Sequence, residues 1–204
     1  MRSIVLLSSL LGVMSLSAAA ETVNFDKIPA GDPPAPWKAG QSGKGGAVWK
    51  IEADPTAPSK PNVLRQSGSA AYAWCVKSDT SIADGAVEVK FKPVAGKRAQ
   101  AGGVIFRFKS ENQYYVARAN ANENNVNLYR FDPSGGREEV KVVDTPVALN
   151  QWHTLRAEFQ GTHIRVSMDG KTYIDLEDAH ISGAGAVGVW TRFDSDTLFD
   201  DFTY

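Results

Sequence analysis

Cysteine is nearly missing from this chain. Cys75 stands alone among 204 residues, so no disulfide can form within the chain. The fold must rest on its core, and a hydrophobic content of 43% makes an adequate core feasible. Cys75 sits in the apolar-rich run Tyr72-Ala73-Trp74-Cys75-Val76, which reads as a buried, inert thiol. A surplus of charge is missing too. With 22 Lys+Arg against 23 Asp+Glu, the chain offers no electrostatic footprint for nucleic acid. Beyond residue 20 no run is apolar enough to cross a membrane. No stretch keeps a helical period for more than about three turns. Two catalytic signatures are absent. His153, His163 and His180 do not fall at H-E-x-x-H spacing, and no G-x-S-x-G elbow occurs. His153 and His163 read as surface or capping histidines.

What is present begins with an export pattern. Residues 1–20, MRSIVLLSSLLGVMSLSAAA, carry Arg2, an apolar run from Ile4 to Val13 and small residues up to Ala20. A basic start, a short apolar core and an A-x-A end predict a signal peptide cut after Ala20. The expected mature protein is periplasmic or extracellular, spans 21–204 as one domain, and carries 21 basic against 23 acidic residues.

The mature part reads as strands. Val87 to Lys92 alternates apolar and charged residues, the period of a half-buried strand, and 104–109, 155–159, 164–168 and 187–193 behave similarly. Turn signals separate them at Asp84-Gly85, Ala95-Gly96, Gly102-Gly103, Ser134-Gly135-Gly136, Gln160-Gly161 and Asp169-Gly170. Asp169-Gly170 predicts a two-residue hairpin joining strands 163–168 and 171–176, because Asp-Gly accepts the positive φ of a type I′ turn. The proline-rich stretches 31–36 and 54–61 predict surface connections, since proline cannot donate to a ladder. Many short strands at this spacing predict an all-β antiparallel sandwich or barrel.

Three blocks carry a family resemblance: Gly102 to Phe108, Asn112 to Asn120, and Glu123 to Tyr129. Trp152-His153-Thr154-Leu155-Arg156, Met168-Asp169-Gly170-Lys171, Val187 to Thr191 and Phe199-Asp200-Asp201-Phe202 add to it. From about Val23 to Tyr204 the chain resembles the laminin-G-like domain of bacterial secreted proteins, often labelled 3-keto-disaccharide hydrolase. That domain belongs to the concanavalin A-like lectin/glucanase superfamily. The resemblance implies a jelly roll of two curved antiparallel sheets and a glycan-related role. Retaining glucanases of the superfamily carry E-x-D-x-x-E on one strand. Here only Glu52-Ala53-Asp54 starts that way, and position 57 is alanine.

Strand parity selects a candidate site. Val104, Phe106 and Phe108 are expected on one face, with Arg107 opposite. Tyr115, Ala117 and Ala119 suit the core, leaving Tyr114, Arg118 and Asn120; Val126 and Leu128 suit it too, leaving Asn127 and Tyr129. Val187 and Val189 leave Trp190 and Arg192. If these strands share a sheet, Arg107, Arg118, Asn120, Asn127, Tyr129, Trp190 and Arg192 share a concave face. Aromatic rings stack on the C–H face of a sugar, while Arg and Asn bond its hydroxyls or carboxylates. Glu123, in the asparagine-rich connection 120–125, can bind a hydroxyl or act as a general acid or base. No motif requires a cofactor. A structural Ca²⁺ held by Asp26 and Asp201 is a further candidate, because jelly rolls often join first and last strands.

The expected function is therefore glycan binding, with a carbohydrate ligand. A glycoside hydrolase or lyase is the alternative, and a buried carboxylate beside Arg107 and Arg118 would favour it. A partner-binding envelope protein is a third reading, which requires an exposed apolar patch.

Overall fold

The computed structural model describes residues 20–134 and 136–204. The expected signal segment, Ala20 apart, lies outside the described residues. The fold is all-β; among the described residues there is no helix. The chain starts with β1 (Thr22–Val23), β2 (Trp37–Gly46), β3 (Trp49–Ala53), β4 (Asn62–Gln66) and β5 (Ser69–Ile82). It continues with β6 (Gly85–Ala95), β7 (Ala101–Ser110), β8 (Gln113–Asn120), β9 (Asn125–Asp132) and β10 (Gly136–Asp144). It ends with β11 (His153–Gln160), β12 (His163–Met168), β13 (Lys171–Glu177), β14 (Gly185–Phe193) and β15 (Asp196–Thr203).

Two antiparallel sheets form a sandwich. One has the order β13-β12-β11-β6-β15-β4-β3, with β1 also on β15; the other runs β10-β9-β8-β7-β14-β5-β2. First and last strands do meet, through Thr22 opposite Thr203. The core between the sheets follows the alternation. Val87, Val89 and Phe91 of β6 and Leu155, Ala157 and Phe159 of β11 pack with Val104, Phe106, Tyr115, Val187 and Val189 of the other sheet. Phe106 stacks on Phe159 with ring centroids 4.7 Å apart, tying sheet to sheet. Each such large apolar side chain contributes roughly 2 kcal/mol on full burial.

The Asp169-Gly170 hairpin forms between β12 and β13, with φ 51° and 79° at its two residues. His153 caps it: its Nδ1 lies 2.7 Å from Asp169 and its Nε2 2.9 Å from the Ala148 carbonyl. Residues 54–61 connect β3 to β4, as their prolines require. Gly102-Gly103 is different. The pair lies inside β7, not in a turn. A Cβ on Gly102 would sit 2.3 Å from the Phe91 ring, and one on Gly103 2.7 Å from the Ala117 carbonyl. These glycines mark close approach, not chain reversal. Strands β2, β5 and β10 have no counterpart in the alternation reading, β2 because glycine-rich WKAGQSGKGG hides its period.

Candidate functional site

The outer face of the second sheet holds a separate apolar cluster. Trp74, Val76, Ile105, Tyr114, Val116, Tyr129, Phe131 and Trp190 bury one another there, with Tyr72 and Phe108 at the margin. Tyr114 stacks on Phe131 at 4.3 Å, and Tyr72 on Trp190 at 6.0 Å. The strand register sets a polar group beside these aromatics. Trp190 lies opposite Trp74 and Gly103, Gly103 opposite Arg118, and Arg118 opposite Asn127. Five strands thus deliver one continuous row.

Arg118 is the hub. It is 1% exposed, and its guanidinium donates to Glu123 Oε2 at 2.6 Å, the Tyr129 hydroxyl at 2.9 Å and Asn125 Oδ1 at 3.1 Å. Asn127 donates to the Tyr129 hydroxyl at 2.7 Å and to Glu139 Oε2 at 3.3 Å. Arg192 approaches Glu123 Oε1 at 3.9 Å. Arg137, on β10, lies over the Tyr129 ring at 4.4 Å and near Tyr72 at 5.8 Å. Glu123 feels these cations. Burial opposes its ionisation, but Arg118, by charge and hydrogen bond, and then Arg192 hold its carboxyl below the usual range. Burial, then Arg118 and Arg137, push the Arg192 guanidinium below its ordinary value.

Several polar atoms here have no protein partner although they are buried. They are Arg118 Nε, Asn120 Nδ2, Asn127 Oδ1, Arg137 Nη1, Trp190 Nε1 and Arg192 Nε. An unpaired buried polar group costs about 1–3 kcal/mol. The cluster therefore offers both donors and an acceptor to an incoming polar molecule, beside an exposed Glu123.

The parity reading brings Arg118, Asn127, Tyr129, Trp190 and Arg192 together, with Glu123 beside them. Two residues need correction. Arg107 is elsewhere. Its φ is 49°, and the register of β7 shifts against both β8 and β14 around it. This β-bulge reverses the alternation, so Phe108 packs on the outer cluster and Arg107 sits near the core ring of Phe159. There, 2% exposed, it donates to the carbonyls of Ala83, Gly161 and Ile181. It staples three loops and lies apart from the Arg118 cluster. Trp190 is on the right face but 0% exposed under Tyr72, so it is a floor and not a stacking surface. Asn120 stays with the cluster: it is buried, its Oδ1 accepts the Gln100 N–H at 3.0 Å, and its Nδ2 is left without a partner on the Glu123 side. Arg137 and Glu139 were not anticipated. Their signal was the alternation of β10, where Arg137 pairs with Phe131 and Glu139 with Tyr129.

The metal candidates do not converge. Asp201 bonds Lys90 Nζ at 2.8 Å, and Asp26 accepts the Asn62 N–H at 3.2 Å. A cation already occupies one carboxylate, and no group of three or more His, Cys, Asp or Glu side chains is placed to hold a metal among the described residues. These residues do not fit a Ca²⁺ site. The buried acid of this strand is Asp200, which accepts from the Ser59 N–H and hydroxyl, both at 2.8 Å. Val48 and Leu149, in separate segments, are the exposed large hydrophobics among the described residues, so no apolar patch supports the envelope-partner reading.

Comparison with known proteins agrees with this architecture. No protein-family profile matches the chain. A levanase of Bacillus subtilis (strain 168) is 26% identical over 110 residues, covering 53% of this chain and 16% of the levanase. The chain thus spans about a sixth of that relative's length. Among solved structures, the carbohydrate-binding module CBM66 from Bacillus subtilis superposes with a TM-score of 0.68 at 19% identity, over 85% of this chain and 98% of the module. A Bacillus subtilis protein of unknown function with a galectin-like fold gives 0.60 at 11% identity, over 90% and 97%. The Bacillus licheniformis beta-glucanase gives 0.54 at 11%, over 92% and 98%. The fold is the jelly-roll β-sandwich that the sequence resemblance implied. The narrower laminin-G-like label rests on that resemblance alone.

Proposed function

We propose that the protein is a glycan-binding module whose ligand sits against the Arg118–Glu123–Arg192 cluster, rimmed by Arg137 and Tyr129. One observation carries this reading: buried polar atoms without partners converge at an exposed carboxylate on the outer sheet face. Guanidinium forks, an amide oxygen and a carboxylate supply the donors and acceptors that vicinal hydroxyls require. The structural likeness to a carbohydrate-binding module and the levanase resemblance support the ligand class. Hydrolysis is less well served. A glycosidase needs one carboxyl held protonated, whereas Arg118 keeps Glu123 ionised. The export pattern of residues 1–20 fits a module that meets polysaccharides in the periplasm or outside the cell.

The test is binding of the mature protein to a panel of neutral and acidic polysaccharides by isothermal titration, with levan first because of the levanase resemblance. Arg137→Ala should lower affinity at least tenfold and leave the melting temperature within about 2 °C, as expected of a rim residue. No binding to any polysaccharide would sink the proposal.

A further inference from the structure

A shallow depression lies near this cluster, outside the apolar face. Lys44, Arg98 and Phe193 border it, and Gly45, Ala70 and Ala71 line it. Gly45 must be small: its φ is 129°, and a Cβ would come 2.4 Å from the Ser69 carbonyl. Phe193 has φ 52°, a left-handed conformation that costs a bulky residue of order 1–3 kcal/mol. That turn, at the irregular end of the β14–β5 register, puts the Phe193 ring between two guanidinium groups. Arg98 Cζ lies 3.9 Å from the ring centroid, and Arg192 Cζ 4.2 Å. A contact chain therefore runs from Glu123 through Arg192 and Phe193 to Arg98.

The charge along this chain is one-sided. Arg118 and Arg192 share Glu123. Neither Arg98 nor Lys44 has a carboxylate partner among the described residues. The nearby acid, Asp194, accepts the backbone N–H groups of Lys97, Arg98 and Ala99. Its charge fixes that turn and does not pair with the Arg98 side chain. Two cations beside a small-residue floor, one held in place by a strained aromatic residue, form an anion-binding surface. We propose that this depression is a second subsite, contiguous with the first, that takes an anionic sugar residue bearing a carboxylate or a sulfate ester. Resting on the glycan-binding reading, it makes the preferred ligand an acidic polysaccharide.

The experiment measures affinity for polygalacturonate, dextran sulfate and neutral levan. It compares the wild type with Arg98→Glu and with Lys171→Glu, a matched charge change on β13 of the other sheet. Arg98→Glu should lower affinity for polygalacturonate or dextran sulfate at least tenfold. It should leave any levan affinity within twofold, and Lys171→Glu should leave all affinities within threefold. The polymer that responds identifies the anionic group. Equal losses in the two variants would reduce the effect to net charge and overturn the subsite. Levan binding with no gain for either polyanion would also overturn it while leaving the glycan reading intact. If Arg98→Glu removes polyanion binding but Arg137→Ala changes nothing, the subsite stands and the Arg118 site falls.

Discussion

Replacing Arg118 with alanine should damage both stability and binding, and the size of the first effect follows from the structure. The guanidinium is 1% exposed and donates to Glu123, Tyr129 and Asn125. A hydrogen bond to a charged partner contributes about 1.5–3 kcal/mol and a neutral one about 1. The lower end applies to Glu123, whose side chain is 37% exposed and can regain water. The gross loss is then about 3.5 kcal/mol. Part is offset, because alanine no longer requires a buried charge. A net cost of about 2 kcal/mol remains. In a domain of this size each kcal/mol moves the melting temperature by about 2–4 °C, so Arg118→Ala should melt roughly 4–8 °C lower. Differential scanning calorimetry at pH 7 reads this directly. Arg118→Lys should fall between the two, since an ammonium keeps the charge but not the fork. A melting temperature within 1 °C of wild type would refute the hub assignment and return Arg118 to an ordinary surface arginine.

Four further outcomes are expected. Arg107→Ala should cost about 2–4 kcal/mol, because three loop carbonyls lose their donor, yet leave glycan affinity within twofold; a loss of binding at unchanged stability would contradict its placement. Gly170→Val should destabilise by about 1–3 kcal/mol, since φ 79° is hostile to a β-branched residue, and unaltered thermal unfolding would argue against the turn. Burial pushes the Asp200 carboxyl up to about 6 from 3.8, so its stability contribution is complete below pH 3.8 and lost as pH rises through about 6. Asp200→Asn should flatten that slope, which denaturant titrations at stepped pH will show. N-terminal sequencing of exported protein should begin at Glu21, and an intact Met1 would overturn the signal assignment.

Much of the fold was legible because its strands alternate cleanly. In β6 Val87, Val89 and Phe91, and in β11 Leu155, Ala157 and Phe159, alternate with polar residues and are buried. The outer face of the second sheet was legible for the same reason in β8, β9 and β14. Legibility failed where backbone geometry breaks the period of two. Glycines at 102 and 103 imitate a turn, although their role is to let Phe91 and the β8 backbone approach. In β2 and β10 short-range composition conceals pairing that only the sheet as a whole defines. A strand on an edge needs fewer apolar residues, since only one neighbour must be satisfied.

Arg107 and Arg118 show how far parity can carry a site. Both follow an apolar residue in a convincing strand, and both are buried arginines with three or more acceptors. They differ in backbone: Arg107 has a positive φ beside a register shift, and Arg118 does not. At φ 49° Arg107 turns toward the loops and meets the carbonyl oxygens of Ala83, Gly161 and Ile181 and, at 3.4 Å, the Asp84 carboxylate, which satisfy it within the protein. Arg118 keeps the regular strand direction and meets side chains, Glu123 among them, with Nε left over. A staple consumes all the useful hydrogen-bonding capacity of a guanidinium, whereas a binding residue keeps some for its ligand. Arg118, Arg137 and Arg192 each keep a buried unpaired nitrogen beside Glu123 or Tyr129 and belong to the site; Arg130, with an unpaired Nε of its own, is taken up by Asp178 and Glu138, and Arg107 belongs to the scaffold.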